Sequence, residues 1–169
     1  SLDLIQSISQ AAKSFAESGD ADYSFTLVTN GSLFTRTVAE KLVPLGLKSV
    51  KITLDGPAEI HDAYRPFKSG AGSFNTIIKN IKATCDLVKI GIGGNFTEHN
   101  YERFALLLDY MEAEGLTPDK VPYVQFAPVV SRPKNDTAPV EYSMGCISIN
   151  EPWLREAEAF LREEILRRG

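Results

Sequence analysis

Four runs of β-branched, aromatic and aliphatic residues in this 169-residue chain end on groups that suit ligand binding: Asn30-Gly31, Asp55-Gly56, Gly93-Gly94-Asn95 and Gln125. Amide and carboxylate side chains offer directional donors and acceptors. Glycines leave the backbone bare, so a ligand can approach it closely. Taken singly, each end reads more readily as turn chemistry, since Asn, Asp and Gly are the residues turns need. Four of them at equivalent places point to a site. Between the second and third lie His61-Asp62 and Arg65. A single His-Asp pair in a loop is thin support for general-base or metal chemistry, so neither residue is assigned a catalytic role.

The elements that must position these groups follow from periodicity. Leu4, Ile5, Ile8, Ala11, Ala12 and Phe15 recur at helical spacing over 4–17, with Asp3 as N-cap and Ser18-Gly19-Asp20 as the stop. Strands are predicted at Tyr23–Thr29, Val50–Leu54, Val88–Ile92 and Val121–Phe126. Helices follow each: Thr35–Leu45; a segment capped by Ser73 with Phe74, Ile77, Ile78, Ile81 and Cys85 on one face; a segment from Asn100 with Phe104, Leu107, Leu108 and Met111 inward, stopped by Gly115; and Pro152–Arg168. Residues 57–72 and 131–150 read as loops. One helix followed by four βα units predicts an α/β fold with a parallel sheet, spanning 1–169 as a single domain.

The strands also indicate what kind of sheet. One covered by helices on both faces needs strands apolar on both sides. Here Val50, Ile52 and Leu54 alternate with Lys51, Thr53 and Asp55; Ile90 and Ile92 with Lys89, Gly91 and Gly93; Val124 and Phe126 with Tyr123, Gln125 and Ala127. Side chains alternate faces along a strand, so one face takes helices and the other borders a cavity. A partial, open TIM-like barrel fits this pattern better than a flat doubly wound sheet. In either, ligands bind at the carboxyl ends of the strands.

Three motifs carry a resemblance. Thr53-Leu54-Asp55-Gly56-Pro57, with His61-Asp62, Arg65 and Gly70-Ala71-Gly72-Ser73-Phe74, is similar to a signature of radical S-adenosylmethionine enzymes of the SPASM, sulfatase-maturing type. Thr29-Asn30-Gly31-Ser32-Leu33 resembles that family's preceding strand end, and Asn95-Phe96-Thr97 with Asn100 resembles the next. The resemblance covers about residues 20–130. It implies a partial (β/α)₆ barrel in which Thr53 and Arg65 contact the cofactor's methionyl carboxylate, Asn95 lies near its ribose, and Asn30 lies at the same mouth. Arg suits a carboxylate as a two-pronged donor, and Thr supplies a hydroxyl; the competing role for Arg65 is an ion pair with Asp55 or Asp62.

The resemblance further implies a [4Fe–4S] cluster on a CxxxCxxC loop and reductive cleavage of the cofactor to a 5′-deoxyadenosyl radical, which abstracts hydrogen from a peptide or small molecule. This chain contains neither that motif nor the family's Gly-Gly-Glu. Its cysteines, Cys85 and Cys146, cannot hold a cluster alone. Cys85 falls at an apolar position of its helix, and Cys146 in the 131–150 loop. The expectation is therefore a piece of a radical enzyme, inactive by itself, with an open strand edge prone to pairing between chains.

Composition narrows the alternatives. A net charge of -4 with pI near 5.2 argues against a broad nucleic-acid surface, and no run is apolar enough to span a membrane. The cysteine count and lack of a signal peptide favour a cytoplasmic setting. A non-catalytic ligand-binding or scaffold domain with a degenerate barrel is the second reading. An isomerase or aldolase barrel would need a strand-end Lys or Glu, whereas Lys51 and Lys89 sit early in their strands. A Rossmann site is disfavoured because Gly91-Ile92-Gly93-Gly94 lacks the third glycine.

Overall fold

The computed structural model describes residues 1–129 and 152–169. Its order is α1 (Leu2–Ser18), β1 (Phe25–Thr29), α2 (Arg36–Leu42), β2 (Leu47–Thr53), α3 (Ala58–Tyr64), α4 (Phe74–Thr84), β3 (Lys89–Phe96), α5 (Phe104–Ala113), β4 (Tyr123–Pro128) and α6 (Pro152–Leu166). The four strands form one parallel sheet in the order β1-β2-β3-β4. The α/β class and the parallel sheet expected from the alternation are what the structure shows. The segment read as a loop over 131–150, with Cys146, lies outside the described residues.

The register places the polar residues of the strands in rows on one face. One row is Val28, Lys51, Gly91 and Tyr123; the next, nearer the carboxyl ends, is Thr53, Gly93 and Gln125. Asn95 and Ala127 pair above them. On the opposite face Val50, Ile52, Ile90 and Ile92 are buried beneath Leu42, Ile77, Ile81, Phe104, Leu107, Leu154 and Leu161 from the helices. Hydrocarbon burial on one face and solvated polar groups on the other follow from the period-2 alternation.

Several boundaries differ from the sequence expectation, each for a local reason. β3 runs on through the glycines to Phe96, because Gly93, Gly94 and Asn95 keep pairing with Gln125, Phe126 and Ala127. α2 ends at Leu42 and tightens into a 3₁₀ turn over Val43–Leu45, where Pro44 has no N–H to continue the α-helix. The N-cap of α1 is Ser1, whose hydroxyl accepts from the Leu4 amide, and not Asp3. α1 turns Leu2, Ile5 and Ser9 inward and leaves Leu4, Ile8 and Phe15 exposed, so its apolar residues split between two faces. The stretch after Pro57 holds a helix, α3, where a loop was expected; Pro57 occupies its N-cap position.

Candidate functional site

The carboxyl end of the sheet is organised around Asp55, just past the end of β2. Its carboxylate is buried, with 7% of the side chain exposed. Oδ1 accepts from the Asn95 backbone N–H at 2.8 Å and from Asn95 Nδ2 at 2.9 Å. Oδ2 accepts from Arg65 Nε. A buried carboxylate needs such partners to offset its lost hydration. One carboxylate thus ties the β2 end, the β3 end and the end of α3 together.

A second layer holds Arg65 from behind. The Asp55 N–H donates to His61 Nδ1 at 3.2 Å, which leaves the proton of a neutral imidazole on Nε2. Nε2 lies 3.1 Å from Ser73 Oγ, and Ser73 Oγ donates to the Arg65 carbonyl at 2.7 Å. His61 is fully buried. Burial holds its pKa below the usual 6.5, against the raising influence of the Asp55 and Asp62 charges, with Arg65 adding to the lowering. A neutral His61 is the form this chain of hydrogen bonds requires.

Asp62 accounts for the rest of the motif. Its Oδ1 accepts from the Ser73 and Phe74 backbone N–H groups, both at 2.8 Å, and so caps α4. Ser73 stands at the N-cap position but makes no capping bond with its side chain, because its hydroxyl serves Arg65 instead. Gly72 is required where it is, since a Cβ there would run into the Asp62 carboxylate. Past β3, Asn100 Oδ1 accepts from the Thr97 N–H at 2.6 Å and closes the turn.

An open cleft of about 420 Å³ lies over this cluster, lined by Asp55, Tyr64, Arg65, Asn95, Thr97, Asn100 and Val129. Of the four residues singled out in the sequence, Arg65 and Asn95 share this cleft. Arg65 is engaged with Asp55 through Nε alone, and its two terminal nitrogens have no protein partner among the described residues. Thr53 does not line the cleft; it sits one step lower on the same face, beside Gly93. Asn30 stands apart, exposed at the β1 end, where Oδ1 accepts from the Ser32 N–H and hydroxyl. Its loop is fixed by the buried Asn80 of α4, whose Nδ2 donates to the Gly31 and Ser32 carbonyls. Asp55, Tyr64, Thr97, Asn100 and Val129 line the cleft without having been assigned a cofactor contact from the sequence. Asp55 carried a signal, its position at a strand end. Tyr64 carried none. Among the described residues no group of three His, Cys, Asp or Glu is arranged to hold a metal ion.

A parallel sheet with helices on one face, and a polar mouth at the carboxyl ends built on Asp55, Arg65 and Asn95, makes a partial α/β barrel similar in fold to that of radical S-adenosylmethionine enzymes. The chain resembles that class in both sequence and fold. It is 30% identical over 100 residues to an Fe-coproporphyrin III synthase of Methanosarcina barkeri, a match spanning 58% of this chain and 23% of that protein. It superposes on the sulfatase-maturing enzyme anSMEcpe with bound AdoMet at a TM-score of 0.64 and 18% identity, covering 92% of this chain and 39% of that one. The same enzyme with AdoMet and the Cp18Cys peptide also gives 0.64, with 41% of it covered. The chain thus spans well under half the length of these proteins. No family model matches it.

Proposed function

We propose that this chain is the cofactor-carboxylate half of a radical S-adenosylmethionine enzyme whose substrate is a peptide or small molecule, at work in the cytoplasm. The observation that carries this is the placement of Arg65: braced through Nε by buried Asp55, backed by His61 and Ser73, with two terminal nitrogens at the strand mouth that have no partner among the described residues. A guanidinium anchored on one side and open on the other suits a ligand carboxylate. Residue by residue, Arg65 and the Thr53 hydroxyl would hold the methionyl carboxylate, Asn95 the ribose, and Asn30 the outer rim of the mouth.

When bound with a [4Fe–4S] cluster held outside this chain, S-adenosylmethionine supplies one-electron cleavage of its sulfonium and hydrogen abstraction. The residues described here bind and orient. Asp55 fixes the direction of the guanidinium. Its pairing also offsets the Arg65 charge, which would otherwise sit uncompensated before the ligand arrives. Alone, the chain is expected to bind but not to react.

NMR titration of the chain with S-adenosylmethionine tests this. The Arg65 side chain and the Asn95 amide are expected to shift together. Methylthioadenosine, which lacks the amino-acid arm, is expected to move Asn95 and leave Arg65 in place. Identical shifts at Arg65 with both compounds, or none with either, would refute the assignment. β1 has an unpaired outer edge among the described residues, with Val28 and Leu33 exposed beside it. Pairing between chains at that edge is expected to appear as concentration-dependent gel filtration.

A further inference from the structure

Below the mouth, three strands converge on a second cluster. Lys51 of β2 leans across β3 toward β4, where its Nζ donates to Gln125 Oε1 at 2.7 Å. The Tyr123 hydroxyl donates to the same oxygen, also at 2.7 Å. The ammonium stands 6.0 Å from the centre of the Tyr123 ring. The crossing exists because β3 offers no side chains there. A Cβ at Gly93 would stand 2.6 Å from Lys51 Cε, and one at Gly91 would stand 2.7 Å from Tyr123 Cδ1.

Among the described residues the charge of this cluster has no carboxylate partner, as holds for every described lysine but Lys82. Arg36, Arg65, Lys82, Arg103, Arg167 and Arg168 each lie within 4 Å of a carboxylate. Lys51 has no carboxylate at that distance among the described residues, although the chain as a whole carries a charge of -4. Its ammonium has three donors, and the neutral Gln125 amide takes one. Two donors from different strands already converge on a single oxygen, Gln125 Oε1, which shows where another oxygen acceptor would be received.

We propose that Lys51, Tyr123 and Gln125 form a docking site for a carboxylate of the substrate, on the lumen floor one row beneath the Thr53 level. The ammonium supplies the charge, the Tyr123 hydroxyl a second donor, and Gln125 holds both in place until an anion displaces its oxygen. This deepens the proposed function and rests on it, since it makes a carboxylate-bearing molecule the substrate class of the same barrel.

The test uses the full chain, with glutarate as the probe and glutaramide as its neutral counterpart, followed at the Lys51 side-chain and Tyr123 ring resonances. Glutarate is expected to give saturable shifts at both residues that weaken as salt is added, and glutaramide none. Lys51→Met is expected to weaken glutarate binding by roughly tenfold or more, the loss of a charge-assisted bond. Tyr123→Phe should weaken it less, and it serves as the second variant if Lys51→Met does not fold. Glutarate shifts confined to Arg65, or unchanged in both variants, would overturn the proposal, as would no shift at all. Titration with S-adenosylmethionine separates the two assignments. Failure at Arg65 with saturation at Lys51 removes the cofactor reading and leaves the carboxylate site. The reverse removes the carboxylate site alone.

Discussion

The two faces of the sheet are cut from the same strands and obey different physics. On the helix-covered face Ile52 and Ile92 are fully buried and Val50 and Ile90 nearly so. On the other face the same strands present Lys51, Thr53, Tyr123 and Gln125 to an open lumen, over glycines. Stability is concentrated where hydrocarbon is close-packed. The lumen face is held by single hydrogen bonds, each worth far less net. The difference teaches where substitutions can be made: binding chemistry can change on one face without dismantling the other. The mouth cluster at Asp55 lies between these extremes, because Asp55, His61 and Ser73 are buried while Arg65 and Asn95 reach the cleft.

Substitutions that grade this difference have expected sizes. The largest is Ile92→Ala on the covered face, expected to cost about 2–5 kcal/mol by chemical denaturation, as for other buried large-to-small changes. Next is Asp55→Ala at the mouth, which leaves the Asn95 N–H without its acceptor and Arg65 without its brace; since Arg65 is 41% exposed, water takes up part of the loss, and roughly 1–3 kcal/mol is expected. His61 adds a pH dependence. Its folded pKa lies below the ordinary 6.5, so its contribution is present above 6.5 and is lost as pH falls through the lower folded value. Denaturation midpoints measured downward from neutral pH should decline, and His61→Gln should flatten that slope. The smallest is Lys51→Met on the lumen face, expected to change stability by no more than about 0.5 kcal/mol. A cost comparable to that of Ile92→Ala would erase the contrast between the faces.

How much of this was legible in the sequence follows the same division. The faces were legible because alternation is local: Ile next to Lys next to Ile shows which side is which. The four strands and their parallel order followed from the helices between them. α3 was not legible, because its seven residues behind Pro57 mix apolar with charged side chains and are too few to show a period. The cap of α4 was not legible either, since Asp62 acts from 11 and 12 residues upstream and Ser73 occupies the position a cap normally takes. In α1 two apolar stripes compete, and only the neighbouring elements decide that Leu2 and Ile5 turn in while Leu4 and Ile8 turn out. For Arg65, the ion pair with Asp55 and a ligand role had looked like alternatives. The structure shows the pair made with one nitrogen of three, so the two are compatible.

The fastening of the mouth loops has a direction. Asn80, from the second βα unit, holds the loop after β1. Asp55 after β2 is saturated by Asn95 of β3, and the carbonyl of Phe96 at the β3 end receives the Val129 N–H from beyond β4. Each unit is finished by the one that follows it. A chain leaving the ribosome amino end first would therefore carry its latest mouth loop unset until the next strand docks. A cut made after any unit would cost the loop before the cut its clasp, while a cut made ahead of a unit would strand a buried clasp such as Asn80 without its loop. The molecule can thus be lengthened by appending units at its carboxyl end more readily than it can be shortened from either side.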